Sequence, residues 1–534
     1  MSTKTLTHPQ IGDIAGVHHD GVTQFRGVKY ATLKDRFSPA ELIQYDGTGL
    51  DAAKFGPQVI SPPNGLDMEF SFIQHALPKP EFPGASDVDG LNLVVTVPSS
   101  GGAQTKHERL PVLVFIHGGG YIIGGNYWPQ YDFSRLVRLA AELGKPIIGV
   151  NINYRLGAAG FLTSPELRAA GYKPNNGLTD QRTALRWVRK YIGGFGGDAD
   201  NVTVMGESAG AVSAGYLLLS EEALAKRIIC LGGCPPLLGQ LPLPVADAVA
   251  ETAKKHLGVE AISAESLVST LNELPAENLW SKIPPNVPFL PVVDGDIIPE
   301  ILEVNTWARS PTLPGNKFIE TILIGDSKLD SSIMGHMLAA RKSGLGAAFR
   351  AVATKVLGEN PNALNSVLEH YNLTEAAELT LTEDQIFRNV LQYISDVAYF
   401  APAVELANGF KNTSYMYAFN EPNPWDGMFK GEASHILDVA FIFQNYNEHL
   451  GETQRASAVT FGQDVIKFTS GEAPWKSFSP GQHGSAVYDG GIRTYAEPSE
   501  NSATERDGFV LELAKSSDGI TTQKLLQVFS SLMM

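Results

Sequence analysis

VMGESAGAVSAG, residues 204–215, sets Ser208 between Gly206 and Gly210, each two positions away. Such a serine is either a nucleophile forced onto a strained turn or an incidental residue in a glycine corner. The chain holds 53 glycines, so the motif alone does not choose. Its flanks do. DNVTVMGES (200–208) is a short apolar run with strand character, and AGAVSAGYLLLS (209–220) opens a helix of small residues. Ser208 therefore falls on a strand-to-helix turn, the context that a G-x-S-x-G nucleophile requires.

The same alternation extends outward. LPVLVFIHGGG (110–120) is a continuous apolar run ending in glycines, as expected of a strand buried on both faces. KPIIGVNINYR (145–155) reads as a second such strand. LTDQRTALRWVRKYIGG (178–194) reads as a helix, with Leu178, Leu185, Val188 and Ile192 near one face and glycines at its end. FIETILIGDS (318–327) and TSYMYAFNEP (413–422) add two further central strands, while GVTQFRGVKYA (21–31) belongs to an N-terminal antiparallel region. Strand and helix alternating through buried strands means an α/β architecture on a mostly parallel sheet. The segments around 235–315 and 335–410 are richer in helical patterns and are expected to cap that sheet. No linker divides residues 1–534, which read as a single domain.

Composition narrows the function classes. The chain has 534 residues, and 43% of them are hydrophobic against 18% charged, enough to build a large core. The net charge of −16 argues against nucleic acid, which demands clustered Lys and Arg. Cys230 and Cys234 match no four-ligand zinc pattern and read as free buried thiols, so no metal is expected. No run of about 18 apolar residues predicts a membrane span. The N-terminus MSTKTLTHPQIGDIAG has no apolar signal core, and the three sequons at Asn201, Asn372 and Asn412 carry little weight without one. The expectation is a cytoplasmic protein of unknown oligomeric state.

A serine hydroxyl needs a positioned base and a place for an oxyanion. Ala209 opens the helix after Ser208, so its backbone N–H is free to meet an oxyanion. The glycines of HGGG (117–120) leave Gly119 and Gly120 N–H groups open to a ligand, because no Cβ intervenes. Neither G-x-x-x-x-G-K-[ST] nor G-x-G-x-x-G fits this loop, which excludes the common phosphate cradles. His117 is read as a structural residue of the loop. Downstream histidines stand at 256, 336, 370, 435, 449 and 483; His435, in GEASHILDVAFIF (431–443), lies on a loop just before an apolar helix. For the acid, TILIGDSKLDSSIM (321–334) offers Asp326 and Asp330 equally.

These motifs together resemble the carboxylesterase/cholinesterase family (type B carboxylesterases) of α/β-hydrolases. The resemblance runs through most of the chain: FRGVKYA (25–31), LNLVVTVP (91–98), HGGGYIIGG (117–125), NINYRLGAAGFL (151–162), NNGLTDQRTALRWVRKYIGGFGGDADNVTVMGESAG (175–210), FLPVVDGDIIP (289–299) and ASHILDVAFIF (433–443). It implies an α/β-hydrolase fold: a central twisted sheet, helices on both faces, and helical insertions walling a gorge. By position it implies Ser208 as nucleophile, His435 as base, and Gly119, Gly120 and Ala209 as oxyanion donors. The family pattern counted from Gly325 puts the acid on Asp330 rather than Asp326, and Glu207 matches a glutamate that tunes the site electrostatically. The implied activity is carboxylic-ester hydrolysis of a small-molecule substrate, with no cofactor. Two alternatives are a biosynthetic acyltransferase, lactonase or cyclase on the same site, and a non-catalytic cholinesterase-like binding protein.

Four departures from the family pattern stand out. Val88 takes the place of a disulfide cysteine. The acid is Asp, not Glu, and Ser331 follows it where Gly is usual. Gly232 replaces a serine after the nucleophile helix. No tryptophan occupies the 60–85 region, where cholinesterases hold a quaternary ammonium.

Overall fold

The computed structural model describes residues 2–99, 109–260, 262–309, 312–478, 484–496, 508–516 and 519–533. A 13-stranded sheet runs through the molecule. Its main strands are β1 (Ser2–His8), β2 (Gly12–His19), β3 (Val22–Lys29), β4 (Asn92–Pro98), β5 (Leu110–Ile116), β6 (Ile148–Ile152), β7 (Gly197–Glu207), β8 (Arg227–Leu231), β9 (Thr321–Ser327), β10 (Thr413–Phe419), β11 (Ser485–Asp489) and β12 (Ile492–Ala496). They lie in the order β1-β2-β3-β4-β6-β5-β7-β8-β9-β10-β11-β12, with the two-residue strand Leu50–Asp51 beside β2. From β6 to β11 every pairing is parallel. The N-terminal strands and β12 pair antiparallel.

The alternation of side chains along β5 shows why both faces are covered. Val112, Val114 and Ile116 enter one core with Leu178, Leu185, Trp187 and Val188 of helix α2 (Asn176–Tyr191). Leu113 and Phe115 enter a second core on the opposite face. There they meet Leu136, Val137 and Ala140 of α1 (Ser134–Glu142). An apolar strand with no polar face is stable only when helices close both sides. Helix α3 (Ala209–Gly215) follows β7 directly and is buried along its whole length.

The helical segments expected around 235–315 and 335–410 hold helices at Leu243–Leu257, Ala264–Glu273, Leu345–Leu357, Pro361–His370 and Glu383–Ser395. The last helix of the second segment, Ala401–Gly409, packs on β9 and β10 and so belongs to the sheet layer. Among the described residues no helix is long and apolar enough to cross a membrane, and no cluster of three or more His, Cys, Asp or Glu could hold a metal. Cys230 and Cys234 are unpaired and buried.

Candidate active site

Loops leaving the C-terminal ends of β5, β7, β9 and β10 converge at one edge of the sheet, where ligands of open parallel sheets bind. Ser208 sits between β7 and α3 with φ +54° and ψ −121°, a strained conformation for a residue with a Cβ. Its amide donates to Leu231 O at 2.9 Å, and Val212 N–H donates to Ser208 O at 3.0 Å, which fixes the turn on both sides. The flanking glycines are required by packing. A Cβ on Gly206 would collide with Gly210 O, and one on Gly210 would collide with Ile116 O at the end of β5.

The HGGG loop passes over this turn. A Cβ on Gly118 would lie 2.9 Å from Ser208 Cβ and would collide with the Glu207 carboxylate. Gly119 (φ +87°) and Gly120 (φ +61°) adopt the left-handed region, and open space faces Gly120. His117 is fixed within the loop: its ring stacks on Tyr154 at 4.5 Å and its Nδ1 bonds Gly118 O at 3.0 Å. Burial lowers its pKa to about 4, so it stays neutral.

His435 and Asp330 arrive on two loops joined backbone to backbone. Leu329 and Ser434 form a parallel bridge, and Leu329 N–H donates to Ala433 O at 2.8 Å. This clamp lets the short aspartate reach its partner, with His435 Nδ1 and Asp330 Oδ1 2.7 Å apart. Asp330 Oδ2 accepts Ser327 N–H at 2.7 Å, and His435 N–H donates to Ser332 Oγ at 2.8 Å. Both side chains are buried. Asp326 lies within β9 opposite Ala418, so the structure brings Asp330, not Asp326, to His435. Ser331, the departure after the acid, donates its hydroxyl to Leu391 O and ties the loop to the helix Glu383–Ser395. Gly232 (φ +53°) faces the pair: a Cβ there would lie 3.1 Å from Asp330 Oδ1 and 3.3 Å from His435 Nδ1. His483 lies outside the described residues.

Glu207 is more intimate with the base than its position beside Ser208 implies. Its Oε1 stands 3.2 Å from His435 Nε2, and neither atom has a hydrogen-bond partner among the described residues. Two further buried acids were not read from sequence. Asp438, three residues after His435 on α4 (Leu437–Ile442), accepts Tyr417 OH at 2.6 Å and Val439 N–H at 2.8 Å. Glu69, on the helix Gly65–Ile73, accepts from Tyr131 OH and from Gln130 Nε2. Asp438 carried one signal, a single acid inside the apolar run ILDVAFIF (436–443); nothing in the sequence marks Glu69.

These charges act on one imidazole. Burial alone would lower the pKa of His435, but the Asp330 bond and the charges of Glu207 and Asp438 outweigh it and push it up to about 9. Burial raises Glu207 well above the ordinary carboxylate range, opposed by the His435 charge. The two shifts compete, because a neutral Glu207 withdraws part of what raises His435. The Asp330 contribution, at 2.7 Å, stands in either case. Burial pushes Glu69 and Asp438 each up to about 7.

Residues 2–469 match the model of the Carboxylesterase family. The chain belongs to the carboxylesterase family. Among curated relatives, it is 29% identical over 463 residues to the para-nitrobenzyl esterase of Bacillus subtilis, covering 83% of each chain. It is 28% identical over 470 residues to lipase 3 of Yarrowia lipolytica, covering 86% of each. A solved PNB esterase structure superposes with a TM-score of 0.71 at 24% identity, over 94% of this chain and 99% of the other. That likeness shows the α/β-hydrolase fold. As a member of this family the chain is a carboxylic-ester hydrolase.

Proposed function

We propose that this carboxylic-ester hydrolase works through a Ser208–His435–Asp330 triad with an oxyanion hole formed by the N–H groups of Gly119, Gly120 and Ala209. Ser208 Oγ attacks the ester carbonyl while His435 Nε2 takes its proton. Asp330 holds the Nδ1–H tautomer and stabilises the imidazolium that forms. The backbone donors meet the negative oxygen of the tetrahedral intermediate, whose collapse sends the alcohol away with the proton carried by His435. Water then repeats the sequence on the acyl-enzyme and returns Ser208.

One observation carries this reading: the buried His435–Asp330 pair at 2.7 Å, on the sheet edge where Ser208 occupies a strained turn under a glycine loop. A small apolar cleft lined by Ile122, Leu156, Leu279, Trp280, Val287 and Phe289 adjoins that loop and suits an apolar ester group. The names of the relatives, an esterase and a lipase, agree with small-molecule esters as substrates. The test is a panel of p-nitrophenyl esters from acetate to decanoate, assayed with the wild type and with Ser208→Ala. The wild type turns over at least one of them, and the variant loses at least about a thousandfold in kcat. Equal activity of the two proteins refutes the mechanism.

A further inference from the structure

Tyr399 has a hydroxyl that the resting molecule does not use. It sits in the five-residue π-helical turn Asp396–Phe400, where Ala401 N–H reaches back to Asp396 O. Such turns insert a residue into a helix and re-aim its neighbours, often at functional sites. Here the turn directs the Tyr399 ring, edge to face, against His435, with centroids 5.7 Å apart and planes at 66°. The imidazole it packs against lies between two carboxylates, Asp330 at 2.7 Å from Nδ1 and Glu207 at 3.2 Å from Nε2.

That hydroxyl is buried and has no hydrogen-bond partner among the described residues. A buried hydroxyl without a partner destabilises the fold, and phenylalanine would fill the same space without that cost. His435 Nε2, on the ring that Tyr399 packs against, is likewise buried without a partner, as are both oxygens of Glu207, whose Oε1 stands 3.2 Å from it. His435 Nε2 has to meet the reacting groups, so burial in the resting form does not separate Tyr399 from the reaction. Burial keeps the Tyr399 phenol protonated, so it is available as a neutral donor.

We propose, resting on the ester-hydrolase site above, that the Tyr399 hydroxyl donates a hydrogen bond to the bound ester and selects substrates carrying an ether or hydroxyl oxygen close to the reacting carbonyl. It is a specificity-determining residue. An oxygen in the substrate satisfies the hydroxyl; a methylene in the same place leaves it unpaired. Discrimination of this kind is largest where a buried polar group goes unmatched.

The experiment compares Tyr399→Phe with wild type on two nearly isosteric pairs. The acyl pair is p-nitrophenyl methoxyacetate and p-nitrophenyl butyrate; the alcohol pair is 2-methoxyethyl butyrate and butyl butyrate, followed by pH-stat. Taking kcat/KM as a ratio within each pair, then between the two proteins, cancels the intrinsic reactivity of the esters. The oxygen-to-methylene ratio falls roughly threefold to tenfold in at least one pair, as one neutral hydrogen bond gives, while Tm is unchanged or higher. The pair that responds shows which side of the ester the hydroxyl meets. Unchanged ratios in both pairs overturn the proposal, as does an equal loss on both members of each pair, which would place the hydroxyl on a water or on His435 itself. A wild type inactive on all four esters, with Ser208 unreactive to an organophosphate, would instead remove the triad reading beneath it.

Discussion

Replacing Asp330 by Asn tests the acid of the triad with no change of shape. In the native pair Oδ1 faces His435 Nδ1 at 2.7 Å, and Oδ2 accepts Ser327 N–H at 2.7 Å. An asparagine cannot meet both neighbours while preserving the working tautomer. If its oxygen keeps Ser327 N–H, its NH2 faces Nδ1, which must then be unprotonated; the proton moves to Nε2, and His435 can no longer accept one from Ser208. If its oxygen faces Nδ1–H, the NH2 opposes Ser327 N–H, donor against donor in a buried place. Either arrangement removes the base or strains the loop. Loss of the correct tautomer in a triad costs about 10⁴ in kcat, or about 5 kcal/mol of barrier. The assay is kcat on p-nitrophenyl butyrate for Asp330→Asn and Asp326→Asn, with near-UV circular dichroism to confirm native packing. Asp330→Asn loses most of kcat and Asp326→Asn keeps the larger part of it. An Asp330→Asn enzyme within tenfold of wild type, or the larger loss at Asp326, would refute the assignment.

Other consequences follow from the same geometry. The base must be neutral to act and its pKa is raised, so kcat/KM climbs with pH through a value above 6.5; Glu207→Gln removes one of the raising charges and moves that acid limb down. A pH–rate profile with the limb unmoved, or moved upward, would contradict the role given to Glu207. Gly210→Ala drives a Cβ into Ile116 O, and thermal unfolding is expected to show a loss of about 1–3 kcal/mol together with a fall in kcat. His117, neutral well below the working range, contributes no limb to the profile; His117→Asn therefore leaves the apparent pKa of kcat/KM where it was, whatever it does to rate.

Much of this site was legible in the sequence because its parts are local. The glycines around Ser208 report a turn that admits no Cβ, and the packing of Gly206 on Gly210 and of Gly210 on Ile116 shows why. The apolar run before HGGG identified β5 as a buried strand, since its residues feed two cores on opposite faces. Asp326 and Asp330 were a tie on pattern alone. What separates them is where β9 ends: Asp326 is still inside the ladder, while Asp330 lies beyond Ser327 on the loop bridged to Ser434. The crossing of β5 and β6 in the sheet order leaves no local trace, because it depends on pairings far apart in the chain. Glu69 and Tyr399 were invisible for the same reason. One reaches Tyr131 from a segment with no motif, and the other is turned onto His435 by a helical irregularity that periodicity does not encode.

The central claim is a covalent acyl-enzyme at Ser208, and trapping it is the most direct test. The wild-type protein is treated with a fluorophosphonate ester, its residual activity on p-nitrophenyl butyrate is followed, and the modified residue is located by peptide mass spectrometry. The account predicts one adduct per chain, on the peptide carrying Ser208, appearing in step with loss of activity. Complete inactivation with Ser208 unmodified, or full labelling of Ser208 with activity retained, would contradict it.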